Sequence, residues 1–143
     1  MRIIDTSVVV DGDAETLWKV WTDVDGWSAW DPHTLEAHLS EGAAFVAGAT
    51  GFTRPKGAPA GPFTLDVVEP TTRWVSRSDL PLGALVFEHT IEPLADGRCR
   101  LTHAATASGP MSLVVQLGWG RRMRADSITT LHALAAQAAT LLQ

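Results

Sequence analysis

The stretch LWKVWTDVDGWSAWDP, residues 17–32, decides how the rest of the chain is read. Four of the six tryptophans fall inside it, at Trp18, Trp21, Trp27 and Trp30. Leu17, Val20, Trp21 and Val24 recur at i, i+3, i+4 and i+7, the spacing that gathers side chains into one apolar stripe on a helix. Just upstream, Asp13 supplies a carboxylate able to satisfy the free amides of a first turn. Asp25-Gly26 then breaks the helix, and Trp27 and Trp30 lie one turn apart in a second short helix. Asp31-Pro32 ends it, because the residue before a proline avoids the α region. Trp18 and Trp21 read as core. Trp27 and Trp30, on a short helix between two breaks, fit either the core or the mouth of a pocket.

Working outward, residues 3–10 form a β-branched, apolar strand ahead of the helices. Beyond them, residues 33–39 and 43–52 read as strands separated by Ser40-Glu41-Gly42, and residues 53–62, punctuated by proline and glycine, as a loop. Residues 63–68 and 73–78 flank Glu69-Pro70-Thr71-Thr72 as a hairpin-like pair. Spacing leaves open which face of these middle strands points inward. The next hairpin can be registered, because Ala95-Asp96-Gly97 suits a three-residue loop closed by a left-handed glycine. Counting outward from Leu94 opposite Arg98 sets Ile91 against Leu101, His89 against His103 and Phe87 against Ala105. The other face then pairs Glu92 with Arg100 and Thr90 with Thr102, combinations that stabilise exposed sheet, and it carries Glu88 outward. Two histidines therefore sit side by side on the apolar face.

Gly109-Pro110 opens a last helix, in which proline at the first position gives up no needed amide. Leu117, Arg124, Ile128, Leu131, Ala135, Ala138 and Leu142 trace its expected seam. Gly118-Trp119-Gly120 interrupts helix propensity, which fits either a kink or a close approach to the sheet.

At 143 residues the chain is expected to be one domain, 1–143, able to bury roughly two thirds of its unfolded surface. The only cysteine, Cys99, has no partner for an internal disulfide, which suits a reducing cytoplasm. MRIIDTSVVV is too short and too polar at Asp5 for a signal peptide, and no apolar run reaches membrane-spanning length. The net charge of −5, with basic residues scattered except at Arg121, Arg122 and Arg124, argues against a nucleic-acid partner.

Strand, two short helices, six strands and a long helix make an α+β chain, and a curved antiparallel sheet gripping its one long helix is the economical packing. In this order the chain resembles the START-like (SRPBCC) superfamily and, within it, the bacterial polyketide cyclase/dehydrase-like proteins. The resemblance spans nearly the whole chain and rests on the first strand, ETLWKVWTDVDGWSAWDP, DGRCRLTH, ASGP and SITTLHALAAQA. It implies a helix-grip fold with a hydrophobic cavity between sheet and helix, closed at one end by the paired short helices. It also implies small hydrophobic ligands, among them lipids, sterols and polyketides, which some members convert. Trp27 and Trp30 would then stand near the entrance and Trp119 or Met123 on the roof. Phe87, His89 and His103 would come from the registered hairpin, and Phe52, Phe63 and Trp74 from the middle strands. The small residues Ala43, Ala44, Ala47, Gly48, Ala49 and Gly51 would leave volume for a ligand or let the sheet bend.

The function expected on this basis is binding of a small hydrophobic, cyclic or aromatic metabolite. Two further readings stay open. One is a cyclase/dehydratase-like enzyme using His89 and His103 as acid/base groups; directly opposed β-carbons stand about 5 Å apart, and a dry site would keep the rings neutral. The other is a protein-interaction module without a small ligand. No GxSxG elbow, HExxH, P-loop or dinucleotide fingerprint is present. No cofactor and no metal site is expected: His33 could join the pair in space, but no carboxylate or third ligand has a spacing that argues for a metal.

Overall fold

The first strand, β1 (Arg2–Asp11), hands over to α1 (Ala14–Trp21) through the Asp13 cap, whose Oδ1 accepts from the Thr16 amide at 2.7 Å. The apolar stripe is fully buried, with Leu17, Val20 and Trp21 on α1 and Val24 just past its end. A single turn of 3-10 helix, Val24–Gly26, leads into α2 (Trp27–Trp30), which stops at Asp31 in extended conformation. This computed structural model describes residues 1–142. Its remaining elements are β2 (Thr34–Leu39), β3 (Thr50–Pro55), β4 (Gly61–Glu69), β5 (Arg73–Leu80), β6 (Gly83–Pro93), β7 (Arg98–Ala107) and α3 (Ser112–Thr140).

The seven strands form one antiparallel sheet in the order β1-β7-β6-β5-β4-β3-β2, which curls around α3 in a helix-grip fold. The β6–β7 register is the expected one. Leu94 N–H donates to the Arg98 carbonyl at 2.8 Å, and His89 stands opposite His103. On the outer face Arg100 bonds Glu92 at 3.2 Å, Glu88 meets Arg73 at 3.3 Å, and Thr102 bonds the Ser7 hydroxyl at 2.8 Å.

Expectations in two regions need correction. The strand expected over residues 43–52 begins only at Thr50; residues 43–49 cross between β2 and β3 as turns, with the Ala43 amide on the Ser40 carbonyl and the Ala49 amide on the Val46 carbonyl. Alanine and glycine supply no branched side chain to hold a pleat, and Gly48 adopts φ +92°, outside the strand region. The small residues therefore shape a connection rather than the sheet, Gly51 excepted. Conversely the expected loop over 53–62 is short, since β3 continues to Pro55 and β4 starts at Gly61.

The seam of α3 holds in part: Leu131 and Ala138 are buried and Ala135 packs against the core as expected, but other members do not. Leu117 is 79 % exposed, and Ile128 and Leu142 also face outward, while Val115, Gly120, Ser127, Leu131, Leu134 and Ala138 are buried. A pattern of apolar residues misses this face because two of its members are a glycine and a serine. The helix is unbroken through Gly118-Trp119-Gly120, and a Cβ on Gly120 would lie 3.5 Å from Ile3 Cγ2. Gly120 thus marks close approach to β1. The C-terminal half of α3 completes a large core with Leu17, Trp21, Leu65, Trp74 and Leu101, and its N-terminal half completes a smaller one with Ile3, Ile4, Ala105 and Ala107.

Candidate functional site

Residues of both cores line a cavity of about 520 Å³ between the sheet and α3. Its wall is a ribbon of rings. Phe63 stacks on Trp27, Trp27 on Trp74 at 5.7 Å, Trp74 on His89 at 3.5 Å, His89 on His103 at 4.8 Å, and His103 on Phe87 at 5.6 Å. Trp21 meets both Trp74 and His89 edge-on, at 5.9 and 5.3 Å. Such offset and edge-on pairs add to the stabilisation from burial alone and hold ring planes fixed.

Local sequence explains the ribbon. Trp74, Phe87, His89 and His103 share the concave face because each stands at inward parity on its strand, and the register places Trp74 opposite His89 and His89 opposite His103. Trp27 is oriented by its indole N–H, which donates to the Trp21 carbonyl at 2.9 Å. Phe63 lies flat over β3 only because position 51 is glycine: a Cβ there would fall 2.7 Å from Phe63 Cε1 and 2.7 Å from the His38 carbonyl oxygen.

The histidines are fixed by hydrogen bonds that also assign their protons. His89 Nδ1 lies 3.2 Å from the Trp74 carbonyl, which can only accept, so Nδ1 carries the hydrogen. For His103 the assignment follows around a circuit. With Thr6 Oγ1 donating to the His103 carbonyl at 3.2 Å, Ser127 Oγ donating to Thr6 Oγ1 at 2.7 Å and His103 Nδ1 donating to Ser127 Oγ at 2.7 Å, all three contacts are hydrogen bonds, whereas the opposite direction leaves the carbonyl contact without a hydrogen. In this arrangement both rings are Nδ1–H tautomers with Nε2 bare. Burial pushes the His89 pKa well below the usual histidine range, helped by neighbouring His103 and opposed by the Trp74 carbonyl. Burial likewise lowers His103 to about 4, with Asp31 opposing. Near neutral pH both imidazoles are uncharged.

A polar rim stands on the solvent side. Asp31 joins α2 to the helix above it, accepting from the Thr130 hydroxyl at 2.9 Å and the His33 amide at 2.9 Å. His33 Nε2 lies 3.6 Å from Asp126 Oδ1, and Arg122 Nε lies 3.7 Å from Asp126 Oδ2. The β3–β4 turn crosses this rim with Gly57 at φ +81°, where the Arg122 guanidinium packs against the bare Cα.

Of the candidate residues, Trp27, Trp30, Phe63, Trp74, Phe87, His89, His103, Trp119 and Met123 all line the cavity. Phe52 does not. It stacks on His38 at 5.5 Å on the opposite side of β3, because Gly51 and Thr53 take the inward positions on either side of it. Trp21, Ser76, Ser127, Thr130 and Leu131 also line the cavity and were not anticipated there. Alternation along β1 marks Thr6 as inward beside Ile4 and Val8, and Ser127 lies one turn before Leu131; these were the available signals. His33 reaches the rim, and among the described residues no group of three or more His, Cys, Asp or Glu is arranged to hold a metal ion.

A family model described as polyketide cyclase/dehydrase and lipid transport matches residues 1–139. The chain belongs to that family. No curated protein matches this polyketide cyclase/dehydrase family member by sequence. Solved structures share its fold at low identity. The di-domain aromatase/cyclase StfQ from the steffimycin biosynthetic pathway is 17 % identical with a TM-score of 0.74, over 97 % of this chain and 51 % of StfQ. The family member thus spans about half the length of that protein. The Zhui aromatase/cyclase from Streptomyces sp. R1128 is 16 % identical with a TM-score of 0.68, over 98 % of this chain and 94 % of Zhui. The hypothetical protein jhp0584 from Helicobacter pylori is 14 % identical with a TM-score of 0.78, over 94 % of this chain and 86 % of that one. Among the described residues, no helix of the family member is long and apolar enough to cross a membrane.

Proposed function

We propose that this chain binds a small hydrophobic, cyclic or aromatic metabolite in the cavity between the sheet and α3. The ribbon of stacked rings carries the reading, because flat π faces along an apolar wall match a flat, ring-containing occupant and offer little to a flexible polar one. A volume of about 520 Å³ lies within the range of cavities that enclose ligands of this size. The test uses the chain's own fluorophores: it has six tryptophans and no tyrosine, so emission reports indoles. Titration with polycyclic aromatics, sterols and fatty acids should give saturable change with the aromatics first. Silence across the panel would sink the reading.

A second reading is favoured by one specific observation, the two bare Nε2 atoms on neutral imidazoles. Such an atom can take a proton from carbon beside a ligand carbonyl and return it to a departing hydroxyl, which leaves as water; a positioned base of this kind contributes roughly 10²–10⁴ in rate. Mass analysis of the titrated samples separates the two. An unchanged ligand mass supports a binder, and loss of water supports a cyclase/dehydratase that uses His89 and His103.

A further inference from the structure

We propose that the occupant of the cavity is a hydrogen-bond donor toward both imidazoles, a phenol or enol with two hydroxyl groups, and that the Thr6–Ser127–His103 circuit enforces this choice. The inference rests on the reading of the cavity as a small-molecule site and names the polarity of what enters it.

The argument is an account of protons. The Nδ1 hydrogen of His89 is taken by the Trp74 carbonyl. That of His103 is taken by Ser127, whose own hydroxyl hydrogen goes to Thr6, whose hydrogen goes to the His103 carbonyl. Every hydroxyl in the circuit spends its single hydrogen inside it, and reversing the direction would forfeit the Thr6 bond to the His103 carbonyl. Each ring keeps one lone pair, at Nε2, with no protein hydrogen-bond partner among the described residues. Burial keeps that second nitrogen unprotonated on both rings. Two acceptors thus stand on neighbouring strands, with ring centroids 4.8 Å apart and Phe87 and Trp74 stacked on the outer sides.

The consequence is selective. A hydroxyl meeting a bare imidazole nitrogen makes a hydrogen bond, whereas a ketone, ether or carboxylate oxygen in the same place presents lone pair to lone pair and leaves both groups desolvated and unpaired. Hydroxyls meta to one another on a single ring are spaced about one ring width apart and can address two neighbouring imidazoles together. Shape alone would not make this distinction, because a methyl ether of the same skeleton is more apolar and fills the volume equally well. Ser127 and Thr6 act as positioning residues: they need not touch the ligand, and they decide which nitrogen of His103 faces it.

The experiment has two arms on the full chain at neutral pH. In the first, imidazole ¹⁵N–¹H correlation spectra read the tautomers of the free protein. Nδ1–H on both His89 and His103 is expected, and an Nε2–H on either overturns the inference. In the second, tryptophan emission is titrated with naphthoresorcinol, its dimethyl ether and naphthalene. Each lost hydrogen bond weakens binding roughly ten-fold, so the diol should bind at least ten-fold more tightly than the ether. Equal binding of all three compounds overturns this inference and leaves the cavity reading standing, whereas binding of none overturns both. Ser127→Ala removes the acceptor for His103 Nδ1–H. It should bring up an Nε2–H signal at His103 and narrow the gap between diol and ether; an unchanged tautomer and an unchanged gap would refute the role given to the circuit.

Discussion

The two halves of α3 belong to one helix and do different work. From Ser127 onward it presents Leu131, Leu134 and Ala138, none more than 2 % exposed, to a core shared with α1 and the middle of the sheet. Before that point it touches the sheet through Val115 and Gly120, roofs the cavity with Trp119 and Met123, and leaves Leu113, Val114 and Leu117 more than half exposed. The difference teaches where the fold stores its stability and where it gives stability up to keep space open. Dense packing at one end holds the helix in place, so the other end can span a void.

Substitutions test that division, and the largest effect belongs to the dense half. Leu134→Ala should cost about 2–5 kcal/mol, since a fully enclosed site cannot collapse around the lost carbons. Met123→Ala, beside an existing cavity, has fewer contacts to lose and should cost about 1 kcal/mol. Urea unfolding of the two variants measures the contrast, and equal losses would erase it. Next comes acidity. The folded protein holds His103 neutral until about pH 4, while the unfolded chain binds that proton near pH 6.5. The unfolded state therefore gains protons first, and stability should fall as pH drops from about 6.5 to about 4, by on the order of 3 kcal/mol from His103 alone. Below that window its contribution levels off. His89 shifts in the same direction, so the His89→Leu, His103→Leu double variant should show a much flatter profile between pH 7 and 4; an unaltered slope would mean the buried imidazoles do not titrate as described.

Smaller effects sit at the junction and on the exposed face. Ser127→Ala interrupts the hydroxyl circuit that ties α3 to β1 and β7, and about 1–2 kcal/mol should be lost in thermal or urea melts. Leu117→Gln, at a side chain 79 % exposed, should change stability by less than about 0.5 kcal/mol. A loss several times larger would show that something covers the N-terminal face of α3 in solution.

What could be read from the chain beforehand follows a physical division. Local rules were sufficient for the α1 stripe, the Asp13 cap, the stop at Asp31-Pro32 and the β6–β7 register, because each is decided by residues within about ten positions of one another. The Ala/Gly stretch before β3 was misread as strand, since small residues carry no pattern of their own and Gly48 takes a backbone conformation that no neighbour announces. Phe52, expected at the cavity, faces away from it for a related reason: parity along a strand is known only once its neighbour's register is known, and spacing leaves that open for the middle strands.

By itself, then, the sequence determined the order of elements and the pairing of His89 with His103, consequences of short-range periodicity and turn chemistry, while the helix-grip class was implied by its resemblance to the START-like superfamily. Only the tertiary structure decided which face turns inward before Leu131 on α3, because that face includes Gly120 and Ser127, residues no hydropathy pattern selects. It alone joined Thr6, His103 and Ser127 into one circuit, since the Thr6–Ser127 bond spans 121 positions of chain and long-range contact is set by packing rather than by spacing. The proton on His103 follows from that closure, as the proton on His89 follows from the Trp74 carbonyl, and with them the chemistry the cavity can offer.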